Sequence, residues 1–162
     1  MAQYNQDLLN SRGLKITPAT IEDLPDLVEL VANLLDEQAA FTSNRRKHER
    51  GIRLILENPS RGRIIALRNE DHVIGMANLL FTISTAQGGF VILLEDVIMH
   101  PDYRDQGLGS HLVDYVIDFA KQKDFKRINL LADTLSERSH NFFARLGFEH
   151  CELSPMRLVL SQ

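Results

Sequence analysis

Leu94-Glu95-Asp96-Val97-Ile98-Met99-His100-Pro101-Asp102-Tyr103-Arg104-Asp105-Gln106-Gly107-Leu108-Gly109-Ser110 runs from an apolar strand-like stretch through a tight turn straight into a helical period. The helix is marked by Leu108, Leu112, Tyr115, Val116 and Phe119 within residues 107–123. A helix start leaves several backbone N–H groups unpaired and carries the positive end of the helix dipole. A turn holding Gly107 and Gly109 can therefore wrap its main chain around a diphosphate, and Arg104 adds a fixed positive charge beside it. Other phosphate motifs fit worse. A Walker loop needs a Gly-Lys-Ser/Thr ending that is missing here, and the dinucleotide fingerprint needs three glycines in a parallel strand-helix-strand unit.

The strand entering this turn closes a meander. Strand periods occupy residues 63–68, 72–84 and 90–100, separated by turns at Asn69-Glu70-Asp71 and around Gly88-Gly89. Gly75, inside the second strand, marks a bulge or a close backbone approach. Upstream, Lys15-Ile16-Thr17 reads as a short strand, and Thr20 with Asp23 three positions on can cap a helix over residues 21–38. Its apolar face is Leu24, Leu27, Val28, Val31, Leu34 and Leu35. A second helix is expected over residues 45–57, ending at Asn58-Pro59; its basic residues Arg45, Arg46, Lys47 and Arg50 read as a solvated face. Downstream come a strand at 127–132, a helix at 136–146 and a last strand at 156–160. With no repeat, linker or low-complexity tract, the expectation is one α/β (α+β) domain over residues 1–162, its core within about 14–160.

A length of 162 residues with 44% hydrophobic content suits one domain. The net charge of -4 and a pI near 5.8 supply no broad basic field, so nucleic acid is not an expected partner and a cationic substrate fits better. Cys151 is the only cysteine, so no intrachain disulfide can form, and it reads as a buried structural thiol. The chain start has neither a basic region nor an apolar run, and no stretch is long enough for a membrane span, so a cytoplasmic protein is expected. The histidines His48, His72, His100, His111, His140 and His150 form no metal-ligand spacing, and no metal is assigned.

Arg104-Asp105-Gln106-Gly107-Leu108-Gly109, preceded by Val97-Ile98-Met99-His100-Pro101, resembles the acetyl-CoA motif R/Q-x-x-G-x-G/A of the GCN5-related N-acetyltransferases (GNAT). Phe142-Phe143-Ala144-Arg145-Leu146-Gly147-Phe148 resembles that family's F-Y-x-x-x-G-F helix ending. The resemblance covers residues 15–160. It implies a mixed, mostly antiparallel sheet with its fourth and fifth strands splayed, flanked by about four helices. It also implies acetyl-CoA as cofactor, CoA as product and direct attack by a primary amine in a ternary complex. On that resemblance the main chain of Val97, Ile98 and Met99 pairs with the pantetheine arm. The backbone of Asp105, Gln106, Gly107, Leu108, Gly109 and Ser110 holds the diphosphate, with Arg104 alongside. Ser136 stands where the family often has an asparagine contacting the cofactor, and a helix N-cap is its other reading. The family often forms homodimers through its C-terminal strands.

An amine with pKa about 10.4 is neutral in roughly one molecule in 2,500 at pH 7, so a base is useful. Glu95 is the candidate, as base or substrate anchor, and strand alternation sets Asp96 on the opposite face. The Leu94-Glu95-Asp96 run also resembles the diamine and polyamine acetyltransferases. Phe143 occupies the position where the family commonly has a tyrosine that protonates the departing thiolate, and phenylalanine cannot donate a proton. His140, three residues earlier on the helix, and Tyr103, in the turn, are the substitute acids to test. A small-molecule amine is the expected acceptor, read by residues 39–58 and 85–89. The alternatives are a catalytically weak acetyl-CoA-binding sensor and a protein N-terminal or lysine acetyltransferase.

Overall fold

Three neighbouring strands form the expected meander in the computed structural model, which describes residues 6–37, 43–70, 72–132 and 136–160. They are β2 (Gly62–Asn69), β3 (His72–Ser84) and β4 (Gly89–Met99), each antiparallel to the next. β1 (Leu14–Pro18) joins antiparallel to β2, and β5 (Ile128–Leu130) joins parallel to β4, giving the order β1-β2-β3-β4-β5. The expected helix end at Gln38, the part of the acceptor-reading region at 39–42 and the turn residue Asp71 lie outside the described residues.

Both sheet faces are apolar because helices cover each of them. On one face Ile65, Leu67, Ala77, Leu79, Ile92 and Leu94 pack with Leu108, Leu112 and Val116 of α4 (Leu108–Gln122). On the other, Ile64, Ala66, Met76 and Ile98 meet Leu24, Leu27, Val28 and Leu30 of α2 (Leu24–Glu37) and Ile52 of α3 (Arg45–Leu56). The expected cap forms ahead of α2: the Thr20 N–H donates to Asp23 Oδ2 at 2.7 Å. Asp23 then takes both Arg68 guanidinium nitrogens at 2.6 Å, buried, while Arg68 Nε donates to Thr17 Oγ1. This cluster fixes the start of α2 to β1 and β2.

Gly75 behaves as read. A Cβ there would stand 2.5 Å from Met99 Sδ, beside a register shift in the β2–β3 ladder. One element was not foreseen and one expectation needs correction. A helix, α1 (Gln6–Ser11), precedes β1 and buries Leu9, giving five α-helices among the described residues where about four were expected. Six residues are too few for a helical period to be recognised. Residues 156–160 form no strand: they pair with nothing among the described residues, and Met156, Leu158 and Leu160 are exposed. Their alternating pattern supplies a preference for extended chain, but a strand needs a ladder partner as well.

Candidate active site

β4 and β5 are paired only from Ile92↔Ile128 to Leu94↔Leu130. Beyond Leu94 the two strands part, so on its β5 side the backbone from Glu95 to Met99 pairs with no strand among the described residues. This is the expected splay, and it exposes the main chain of Val97, Ile98 and Met99 as an edge. The Met99 carbonyl accepts from Arg104 Nε at 3.0 Å, which anchors the following turn to the strand end.

The turn uses a short 3-10 segment, Pro101–Tyr103, and then two left-handed residues, Asp105 (φ 59) and Gly107 (φ 75). Gly107 is the N-cap of α4 and supplies no side-chain cap. The N–H groups of Asp105, Gln106, Gly107, Leu108, Gly109 and Ser110 donate to no protein acceptor among the described residues. Six unpaired main-chain donors at the positive end of a 15-residue helix fit a diphosphate. Three side-chain contacts hold the loop from below. Gln106 donates to the Asp102 carbonyl at 2.9 Å, Arg12 donates to Gln106 at 2.6 Å, and Arg138 at the start of α5 (Glu137–Arg145) pairs with Asp105.

Arg104 is placed differently from the sequence reading. Its two terminal nitrogens clamp Glu37 at 3.0 and 3.1 Å, so its guanidinium joins the end of α2 to the turn and does not stand free beside it. Nothing in the sequence pairs residues 67 positions apart. Ser136 caps α5, its hydroxyl accepting from the Ser139 N–H at 3.2 Å. Phe143 is half-buried between Phe142 and Phe148, at centroid distances of 5.0 and 5.5 Å. The helix closes there in a Schellman arrangement. Phe148 N–H donates to the Phe143 carbonyl, Gly147 N–H donates to the Ala144 carbonyl, and Gly147 takes φ 91. The Gly-Phe pair of the motif is thus a helix stop whose two phenylalanines pack on each other.

Each of the two substitute acids has a side-chain partner of its own. The Tyr103 hydroxyl accepts from Asn69 Nδ2 at 2.8 Å, beyond the Met99 end of β4. Glu95 lies four residues back along the strand, about 13 Å at an ordinary rise per residue. His140 Nδ1 stands 3.3 Å from His150 Nε2. Cys151, expected to be buried, is exposed. Its chain neighbours Glu149, His150 and Glu152 are exposed with it.

Glu95 carries the other correction. In the β3–β4 ladder Asn78 faces Asp96, yet the next residue, Leu79, faces Leu94, so Glu95 is an extra residue in a β-bulge. Leu94 and Val97 both pack into the core under α4. The two residues between them therefore share the other face, where regular alternation would have separated them. Burial and the neighbouring Asp96 raise the proton affinity of Glu95, against Arg157, although one side of Glu95 meets solvent. Burial also raises the affinity of Asp96, against a hydrogen bond from Asn78. Asn78 escaped the sequence reading, though a lone amide in the apolar run from Val73 to Leu80 was a signal for it. Among the described residues no cluster of histidine, cysteine or carboxylate side chains could hold a metal, and no helix is long and apolar enough to cross a membrane.

A sequence model of the acetyltransferase (GNAT) family matches residues 28–148. GCN5-related N-acetyltransferase 2, chloroplastic, of Arabidopsis thaliana is 34% identical over 82 residues, 51% of this chain and 29% of that protein. The chain thus spans under a third of that relative's length. Aminoalkylphosphonate N-acetyltransferase of Salmonella typhimurium is 24% identical over 131 residues, 81% of this chain and 82% of that one. The crystal structure of an integron cassette protein from the mobile metagenome of Cole Harbour salt marsh shares the fold. Its TM-score is 0.80 at 22% identity, covering 91% of each chain.

Proposed function

Because the chain belongs to the acetyltransferase (GNAT) family, we propose that it is an acetyl-CoA-dependent N-acetyltransferase acting on the primary amine of a small molecule. The observation that carries this reading is the row of unpaired main-chain donors from Asp105 to Ser110 beside the freed β4 edge. The donors suit a diphosphate, and the edge suits the amides of a pantetheine arm. Acetyl-CoA supplies an activated thioester. The chain's part is to bind, orient and move protons.

Val97, Ile98 and Met99 would align the arm along β4, which brings its thioester end toward the bulge at Glu95. Glu95 then stands where an incoming ammonium must lose a proton before it can attack, and a carboxylate with raised proton affinity is the better acceptor for it. Phe143 supplies no proton to the leaving group, so the thiolate departs unaided or takes its proton from water. A thiol of ordinary pKa about 8.5 is a fair leaving group, so the cost falls on rate. A small amine is supported by the Salmonella relative, whose name describes acetylation of an aminoalkylphosphonate, and by the paired carboxylates. The same Phe143 favours one second reading, a domain that binds acetyl-CoA and turns it over only weakly.

The test is thiol release from acetyl-CoA against a panel of polyamines, aminoglycosides, aminoalkylphosphonates, amino acids and peptides. Amine-dependent release with a small molecule supports the reading. Tight acetyl-CoA binding with no release across the panel supports the second, and release with peptides alone replaces the small-molecule acceptor.

A further inference from the structure

The bulge does more than shift Glu95. It sets two carboxylates side by side on the α2–α3 face and opposes the inner one, Asp96, with Asn78 from β3. Asn78 is 7% exposed, and its Nδ2 lies 3.4 Å from Asp96 Oδ2, a long contact. Its Oδ1 is buried with no partner among the described residues. A buried amide oxygen without a donor is costly, so it is open to a water or to a protonated neighbour. Asparagine suits both states of a neighbouring carboxyl group. Its NH₂ end donates to the carboxylate, and after a side-chain flip its oxygen accepts from the carboxylic acid.

We infer that Glu95 and Asp96 act as one proton-accepting unit, anchored by Asn78, so that the proton taken from the acceptor amine is shared between two carboxylates. This rests on the N-acetyltransfer reading above. Glu95, on the solvent side, meets the acceptor; Asp96 is a positioning residue that acts through it. The acceptor ammonium loses one N–H proton to a carboxylate oxygen, and the unit passes from two negative charges to one. The freed nitrogen lone pair forms the C–N bond as the thioester C–S bond breaks; the second nitrogen proton leaves to water, and the thiolate takes its proton from water. Two carboxylates held together make a stronger base than one, because the first proton relieves their mutual repulsion. The paired negative charge also favours an acceptor that arrives as a cation.

Of the two carboxylates, Glu95 is the one whose proton affinity reflects its neighbour. Asp96 raises the proton affinity of Glu95, while Arg157, from the segment after α5, opposes it. The amide of Asn78 opposes the effect of burial on Asp96.

The test is a carboxyl ¹³C NMR titration of the intact protein, with no cofactor or acceptor added, for the wild type, Asp96→Asn and Glu95→Gln. In the wild type both carboxyl signals should move in two linked steps. In Asp96→Asn, Glu95 should titrate in one step at lower pH; in Glu95→Gln, Asp96 should shift down by the same amount, since coupling is reciprocal. Glu95 is exposed, so Glu95→Gln supplies its half of the test even if Asp96→Asn fails to fold. Independent single-step titrations, unmoved by removal of the neighbour, overturn the inference. With an acceptor in hand, the acid limb of kcat/KM should move to lower pH in Asp96→Asn, a change that a purely structural role for Asp96 would not produce. Failure of thiol release would sink the acetyltransfer reading and leave the NMR coupling intact, so the two failures are distinguishable.

Discussion

Gly107 and Gly109 stand two residues apart in the same motif, yet the structure gives them different reasons to be glycine. Gly107 has φ 75 and ψ -1, and nothing lies within 4 Å of where its Cβ would be. Its requirement is conformational: an L-residue in that region costs about 1–2 kcal/mol. Gly109 has an ordinary helical φ. Its Cβ would lie 3.6 and 3.7 Å from the Phe142 ring and 3.8 Å from Met99 Cγ, normal contact distances directed at the protein interior. Gly107→Ala should therefore lose about 1–2 kcal/mol, as lower stability if the turn keeps its shape or as roughly 5–30-fold weaker CoA binding if it relaxes. Gly107→Asn should lose less, since asparagine tolerates the left-handed region. Gly109→Ala should gain about 0.5–1 kcal/mol from better helix propensity and bind CoA as the wild type does. Urea unfolding and calorimetric titration with CoA on all four proteins separate these outcomes. The reasoning is refuted if Gly107→Ala matches the wild type in both measurements, or if Gly109→Ala weakens binding as much as Gly107→Ala.

Glu95→Gln should lower kcat by about 10²–10⁴-fold, the usual size of general-base help, while leaving acetyl-CoA affinity within twofold; steady-state kinetics with any accepted amine decides it. Phe143→Tyr should raise kcat by about tenfold or more by restoring a donor at the position of the family's tyrosine, and a stopped-flow measurement of thiol release detects the gain. Asp23→Ala should cost about 3 kcal/mol, the low end for a buried pair, because it strands the part-buried Arg68 guanidinium. Hydrogen bonding to Arg68 holds Asp23 below its ordinary pKa, so its contribution is complete above the unfolded-state value and disappears as pH falls through the folded value. Wild-type stability from urea unfolding should accordingly drop more steeply on acidification than that of Asp23→Ala. Gly147→Ala should cost about 1–2 kcal/mol by straining the left-handed stop of α5, which a thermal melt reads as a drop of a few degrees.

Local physics made much of this architecture legible. The two-residue period from Arg63 to Met99 announced the meander, Thr20 and Asp23 announced a cap, and the Gly107 turn announced a helix start with free donors. Each signal spans a few neighbouring residues. What escaped depends on partners far apart in the chain. The Glu37 clamp on Arg104, the Asn69 contact of Tyr103 and the Asn78 contact of Asp96 join residues 67, 34 and 18 positions apart, and no local period encodes them. The bulge at Glu95 shows the limit most clearly. Alternation applied to Leu94-Glu95-Asp96-Val97 puts the two acids on opposite faces, and only the register with β3 reveals the extra residue that brings them together. At 156–160 the failure is the reverse: the pattern asks for a strand and no neighbour answers.

The central claim is that the freed edge of β4 and the start of α4 together form the coenzyme site. Amide NMR spectra of ¹⁵N-labelled protein titrated with CoA test it directly. The largest shifts should fall on Val97, Ile98, Met99 and the amides from Gln106 to Ser110, with those of β1 unmoved. An absence of binding, or shifts concentrated away from these two segments, would contradict it.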